Sequence, residues 1–129
     1  EAVMTRIDSD LLAHFVAVGN RTLSNEKMQI SNKFAMTVIS VAGGYPEAYE
    51  KGKEIVTPSE MPDNSVLFHS GTSIKDGKLV SSGGRVLALT VNSNSIPDAR
   101  VLAYNCLENI NFEGIYYRKD IGIDLLKYL

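Results

Sequence analysis

Between Val66 and Val86 the chain reads VLFHSGTSIKDGKLVSSGGRV, and this stretch concentrates side chains able to bind or move charge. His69 ends an apolar run beside Ser70, Gly71 and Thr72, a place where an imidazole either works as a base or hydrogen-bonds at a strand end. Asp76-Gly77 separates two extended segments and predicts a hairpin closed by a type I′ turn, which needs positive φ at both central residues. Gly83-Gly84 then runs straight into Arg85. Glycines in or beside a strand mark a bulge or a close backbone approach, and free N–H groups next to a guanidinium can form an anion seat. The same residues equally describe a glycine-rich turn with a solvated arginine, the commoner outcome for such a composition.

Elsewhere the residues capable of chemistry are scattered. His14 lies among apolar residues in LLAHFVAVG, where a lone histidine is more often a packed or partly exposed side chain than a ligand. Cys106 falls on an apolar helical face and reads as core. Asp120 and Asp124 are four apart, but Gly122 between them weakens any helix that would align them, and pairing of Asp120 with Arg118 or Lys119 is an equally good structural reading. The chain has no phosphate-binding P-loop, no G-x-G-x-x-G, no G-x-S-x-G and no H-E-x-x-H. One cysteine and two histidines give no zinc spacing, so neither a catalytic residue nor a metal site is assigned.

The 129 residues, 44% of them hydrophobic, are enough for one core and predict a single domain. The net charge of −2 arises from 13 basic and 15 acidic residues spread along the chain, which leaves no basic stripe for nucleic acid. No apolar run approaches the roughly 20 residues that span a bilayer, and there is no basic-then-apolar signal at the start. The unpaired cysteine points to a reducing cytoplasm. The opening EAVMTRI, without an initiator methionine, reads as the tail of an element already under way and predicts a fragment of a larger protein.

The elements that would hold these residues follow from periodicity and punctuation. Asp8-Ser9-Asp10 caps a helix over LLAHFVAVG, with Leu11, Leu12, Phe15 and Val18 on the packing face and Gly19 ending it in a left-handed turn. Residues 20–32 read as loop with a short strand or turn. Phe34–Val41 is β-branched and apolar on both faces, which predicts a strand in the interior of the domain. Pro46 and Glu47 open a short helix or helical turn to Lys51, stopped by Gly52. Glu54–Val56 is a short edge strand, and Val86–Val91 another apolar strand. Pro97 and Asp98 open a second helix whose stripe is Ala99, Leu102, Ala103, Cys106 and Ile110. Phe112–Tyr117 is a last short strand. Mostly antiparallel strands with two flanking helices make the fold α+β.

Three blocks carry a resemblance: His69-Ser70-Gly71-Thr72, Ser82-Gly83-Gly84-Arg85-Val86-Leu87 and Tyr117-Arg118-Lys119-Asp120-Ile121-Gly122. In this order and spacing they resemble the C-terminal domain of the phosphoribosylamine–glycine ligase family, supported by FAMTVISVAGGYPEAYEKGKEI and the opening EAVMTRIDSDLL. Asn20–Asn32 and the tail from Ile123 are less typical of it. The resemblance implies the C-terminal domain of an ATP-grasp enzyme of purine biosynthesis. In that reaction ATP activates glycine as an acyl phosphate, which the amine of 5-phosphoribosylamine attacks. It further implies that residues 1–7 end the preceding ATP-grasp domain, which belongs to the same chain and holds ATP and Mg2+ (or Mn2+). Residues 1–129 would be the domain that closes the cleft over glycine and phosphoribosylamine, inactive alone. By analogy with arginines of related domains, Arg85 and Arg118 contact substrate anions, aided by Gly83, Gly84, His69 and Thr72, the last two also able simply to brace the loop. The competing reading is a non-catalytic binding or interaction domain of another ATP-grasp-type protein.

Overall fold

The computed structural model describes residues 1–128. Its centre is the long strand β5, Arg85–Ser93, whose residues Val86–Val91 are all buried. On one side β5 pairs antiparallel with β1, Phe34–Val41, and on the other with β2, Ser65–His69, giving the order β1-β5-β2. The remaining strands, β3 (Thr72–Lys75) and β4 (Lys78–Ser81), form the expected hairpin, which stands as a sheet of its own. Asp76 and Gly77 at its tip have φ of 51° and 78°, the two positive values a type I′ turn requires. The α+β reading therefore holds. β1, however, lies at an edge of the sheet; the interior strand is β5.

One sheet face is built from Met36 and Val38 of β1 with Leu87, Leu89 and Val91 of β5, and it joins the second helix in one core. That helix, α2 (Ile96–Leu107), starts where Ser95 accepts a hydrogen bond from the Asp98 N–H, a cap worth about 1 kcal/mol. Its buried residues are Ala99, Ala103, Cys106 and Leu107, the expected stripe with Leu107 added and with Leu102 only partly buried. Two alanines let the helix lie close to the sheet, while Ile110 and Phe112 close the core beyond its end. Burial raises the pKa of the Cys106 thiol, consistent with a packed side chain. Alternation puts Thr37 and Ile39 of β1, Ala88 and Thr90 of β5 and Val66 and Phe68 of β2 on the other face, where Thr37 and Thr90 share a 2.7 Å hydroxyl hydrogen bond.

The first helix, α1 (Leu11–Gly19), forms under the predicted cap, with Asp10 Oδ1 accepting from Leu12 and Ala13. Its orientation is the reverse of the expectation. His14 and Ala17 are buried, whereas Leu12, Phe15, Val16 and Val18 are each more than half exposed. The inner face is organised by polar bonds: His14 Nε2 lies 2.9 Å from Ser9 Oγ, and the same hydroxyl oxygen accepts from the Gln29 N–H at 3.2 Å. The left-handed residue after α1 is Arg21, not Gly19. Three other expectations also change. Residues 46–48 are turn and bend and 49–51 carry no regular structure, so no helix forms after the bend at Gly44-Tyr45-Pro46. Phe112–Tyr117 and Glu54–Val56 make only isolated bridges, Tyr116 with Val41, Asn111 with Val56 and Glu54 with Val80.

Candidate functional site

Arg85 begins β5 where the ladder with β1 is irregular, opposite Val41, so its side chain leaves the sheet at the edge instead of entering the core. It lines a cavity of about 340 Å³ beside β1, together with Arg118, Tyr45, Tyr116 and Tyr117. The fold thus brings together the two arginines singled out from sequence, 33 positions apart, because the Val41–Tyr116 bridge lays the 116–121 segment along the edge of β1. The two hydrogen bonds of that bridge are 2.8 and 3.0 Å.

The two guanidiniums are in different electrostatic states. Arg118 donates from Nε to Asp120 Oδ1 at 2.9 Å and from Nη2 to Oδ2 at 2.6 Å, a bidentate pair on the surface. This hydrogen bond holds the Asp120 carboxyl below its ordinary pKa and raises that of Arg118. Arg85 has no ion pair or side-chain hydrogen bond among the described residues, and it is exposed. The cavity therefore has one compensated and one uncompensated cation, with aromatic walls that sequence reasoning did not pick out. Tyrosines at 45, 116 and 117 carry no spacing signal, since they meet only through the bridge and the turn after β1.

The glycine doublet has a packing role. A Cβ on Gly84 would run into the Tyr45 ring, and one on Gly71 would lie 2.5 Å from the Arg85 carbonyl oxygen and 2.7 Å from Gly83 Cα. The chain crosses itself here: Ser82 and Gly83 N–H donate to the Gly71 carbonyl at 2.8 and 3.2 Å, and Ser70 and Gly71 donate to that of Val86. With the Gly83 N–H so engaged, the guanidinium of Arg85 is the group of this segment that faces the cavity. His69 and Thr72 stand apart from the cavity and meet each other, Nδ1 to Oγ1 at 3.1 Å, at the foot of the hairpin. A further network ties the loops behind the turn, with Lys53 Nζ between Glu50 at 2.7 Å and Glu113 at 3.0 Å. Hydrogen bonding to Glu50 first, then to Glu113, raises the Lys53 pKa. Among the described residues no group of three His, Cys, Asp or Glu side chains could hold a metal ion, and no helix is long and apolar enough to cross a membrane.

Residues 35–124 match the family described as "Phosphoribosylglycinamide synthetase, C domain". The phosphoribosylamine–glycine ligase of Caldanaerobacter subterraneus is 42% identical over 122 residues, which covers 95% of this chain and 29% of that protein. The bifunctional purine biosynthetic protein ADE1 of Schizosaccharomyces pombe is 43% identical over 123 residues, 95% of this chain and 16% of that protein. Among solved structures, the phosphoribosylamine–glycine ligase of Thermotoga maritima superposes with a TM-score of 0.68 at 41% identity, over 82% of this chain and 27% of that one. The chain thus spans less than a third of the length of these relatives.

Proposed function

The chain belongs to the phosphoribosylglycinamide synthetase C-domain family, and from that premise we propose that it is the C-terminal domain of an ATP-dependent ligase that joins glycine to 5-phosphoribosylamine in the cytoplasm. In this reading Arg85 contacts an anionic group of that substrate pair, either the phosphate or the glycine carboxylate. The observation that carries it is an uncompensated guanidinium lining a cavity that Arg118 also lines. A planar fork of N–H donors suits carboxylate and phosphate oxygens. Arg118, its charge compensated by Asp120, retains N–H donors not used on that carboxylate, while Gly83, Gly84, His69 and Thr72 shape and brace the segment that presents Arg85. In this reading ATP and Mg2+ are bound mainly by the upstream ATP-grasp domain. The exposed apolar face of α1 suits the upstream ATP-grasp domain as partner. In the same reading residues 1–7 end the preceding ATP-grasp domain, and the C-terminal domain follows in the same chain.

The test is Arg85→Ala in the full-length ligase. Removing a charge-assisted hydrogen bond costs about 1.5–3 kcal/mol, roughly ten- to a hundredfold in the specificity constant for the substrate it contacts. Arg85→Lys should recover only part, because an ammonium keeps the charge and loses the fork. The KM for ATP should hardly change. Unaltered constants for glycine and phosphoribosylamine with a lowered melting temperature would make Arg85 a structural residue.

A further inference from the structure

The wall of the cavity that carries Arg118 is not held by its own strand. Beyond Tyr116 the chain forms no ladder, so the position of residues 118–121 has to come from elsewhere. Tyr117 and Ile121 pack against the core, and two residues of α2 one helical turn apart hold the backbone of the segment. Arg100 Nη1 donates to the Ile121 carbonyl at 2.6 Å, and Nη2 reaches the Lys119 carbonyl at 3.5 Å. The Tyr104 hydroxyl donates to the carbonyl of Arg118 itself at 2.8 Å. The two side chains support each other, with the Arg100 guanidinium 5.2 Å from the centre of the Tyr104 ring, and that ring lies 6.3 Å from Tyr117, a wall of the cavity. Neither Arg100 nor Tyr104 lines the cavity.

We infer that Arg100 and Tyr104 are positioning residues for the anion site. They pin three backbone carbonyls of the 118–121 segment to the rigid helix, and so fix where the Arg118 guanidinium and its Asp120 partner stand relative to Arg85. The inference rests on the substrate-anion reading of Arg85 and Arg118. A segment without a ladder samples several positions, and each lost anchor lowers the fraction of molecules in which both cations face one anion. The apparent affinity for that anion falls by the same factor. The fold does not depend on these bonds in the same way, because Ala99, Ala103 and Cys106 anchor α2 in the core.

The experiment uses Tyr104→Phe, Arg100→Lys and Arg118→Ala in the full-length ligase, with steady-state kinetics for all three substrates and a thermal melt. Tyr104→Phe keeps the ring and removes one hydrogen bond. It should raise the KM for the substrate whose anion the site holds by about three- to tenfold, leaving the KM for ATP and the melting temperature near those of the parent. Arg100→Lys keeps the charge and one donor nitrogen and should give a smaller rise in the same constant. A loss in Arg118→Ala with unchanged constants in both α2 variants would overturn the brace and leave the site reading standing. An Arg118→Ala enzyme with normal constants would overturn both. Equal changes in the constants of all three substrates, with a lowered melting temperature, would reduce Arg100 and Tyr104 to packing and overturn the inference.

Discussion

Gly84 has no side chain because the Tyr45 ring occupies the space that a Cβ would need, and Tyr45 in turn forms one wall of the cavity beside Arg85. Gly84 thus has a packing reason to be glycine beside the cavity. Gly84→Ala must displace the ring or the backbone. Overpacking of this kind costs about 1–3 kcal/mol, and urea denaturation of the chain should show a lower midpoint with an unchanged slope. A variant as stable as the parent would mean that the ring moves aside freely, and that Tyr45 is not a fixed wall. Arg118 makes the complementary point, because a motif residue expected to meet a substrate already holds a carboxylate two positions away, so an incoming anion meets a preoriented guanidinium.

α1 illustrates how an element can be read correctly in extent and wrongly in orientation. Its cap and length follow from Asp10 and the apolar run, yet its large apolar side chains face outward while His14 and Ala17 face in. Such a face is costly in water, and the exposed set matches a surface that another domain would cover. Phe15→Ser should therefore change the stability of this chain by no more than about 0.5 kcal/mol, as for other exposed positions. In the full-length ligase the same substitution should cost several times as much, because a buried aromatic truncated there loses its contacts. Chemical denaturation of the two proteins side by side checks this, and equal small effects in both would remove α1 from the interdomain contact.

For the whole molecule, β5 decides the architecture. It pairs on both edges, is buried along six consecutive residues and starts at Arg85, so Arg85 is attached to the central, most extensively buried strand of the chain. The buried core formed by the sheet and α2 runs from Met36 to Phe112. The chain on its own should accordingly show a single cooperative thermal transition by circular dichroism, and no glycine-dependent release of ADP. Turnover by the pure chain would sink the division of labour proposed for the ligase, and a non-cooperative melt would show that the core needs its upstream neighbour.

Sequence alone determined what depends on local chemistry and short spacing. The Asp76-Gly77 turn, the N-cap of α1, the start of α2 at Pro97-Asp98, the apolar stripe of α2 and the strand over Phe34–Val41 were all legible, because dihedral preference and side-chain periodicity act within a few residues. The blocks around His69, Gly83-Gly84-Arg85 and Tyr117–Gly122 also indicated the family. Tertiary structure decided what depends on residues far apart. It made β1 an edge, reduced residues 112–117 to single bridges and turned the apolar side of α1 outward. It also brought Arg85 to the same cavity as Arg118 while leaving His69 with Thr72. Arg100 and Tyr104 carried no signal as site supports, since their partners are backbone carbonyls, which every residue possesses and which only the folded path of the chain brings within reach.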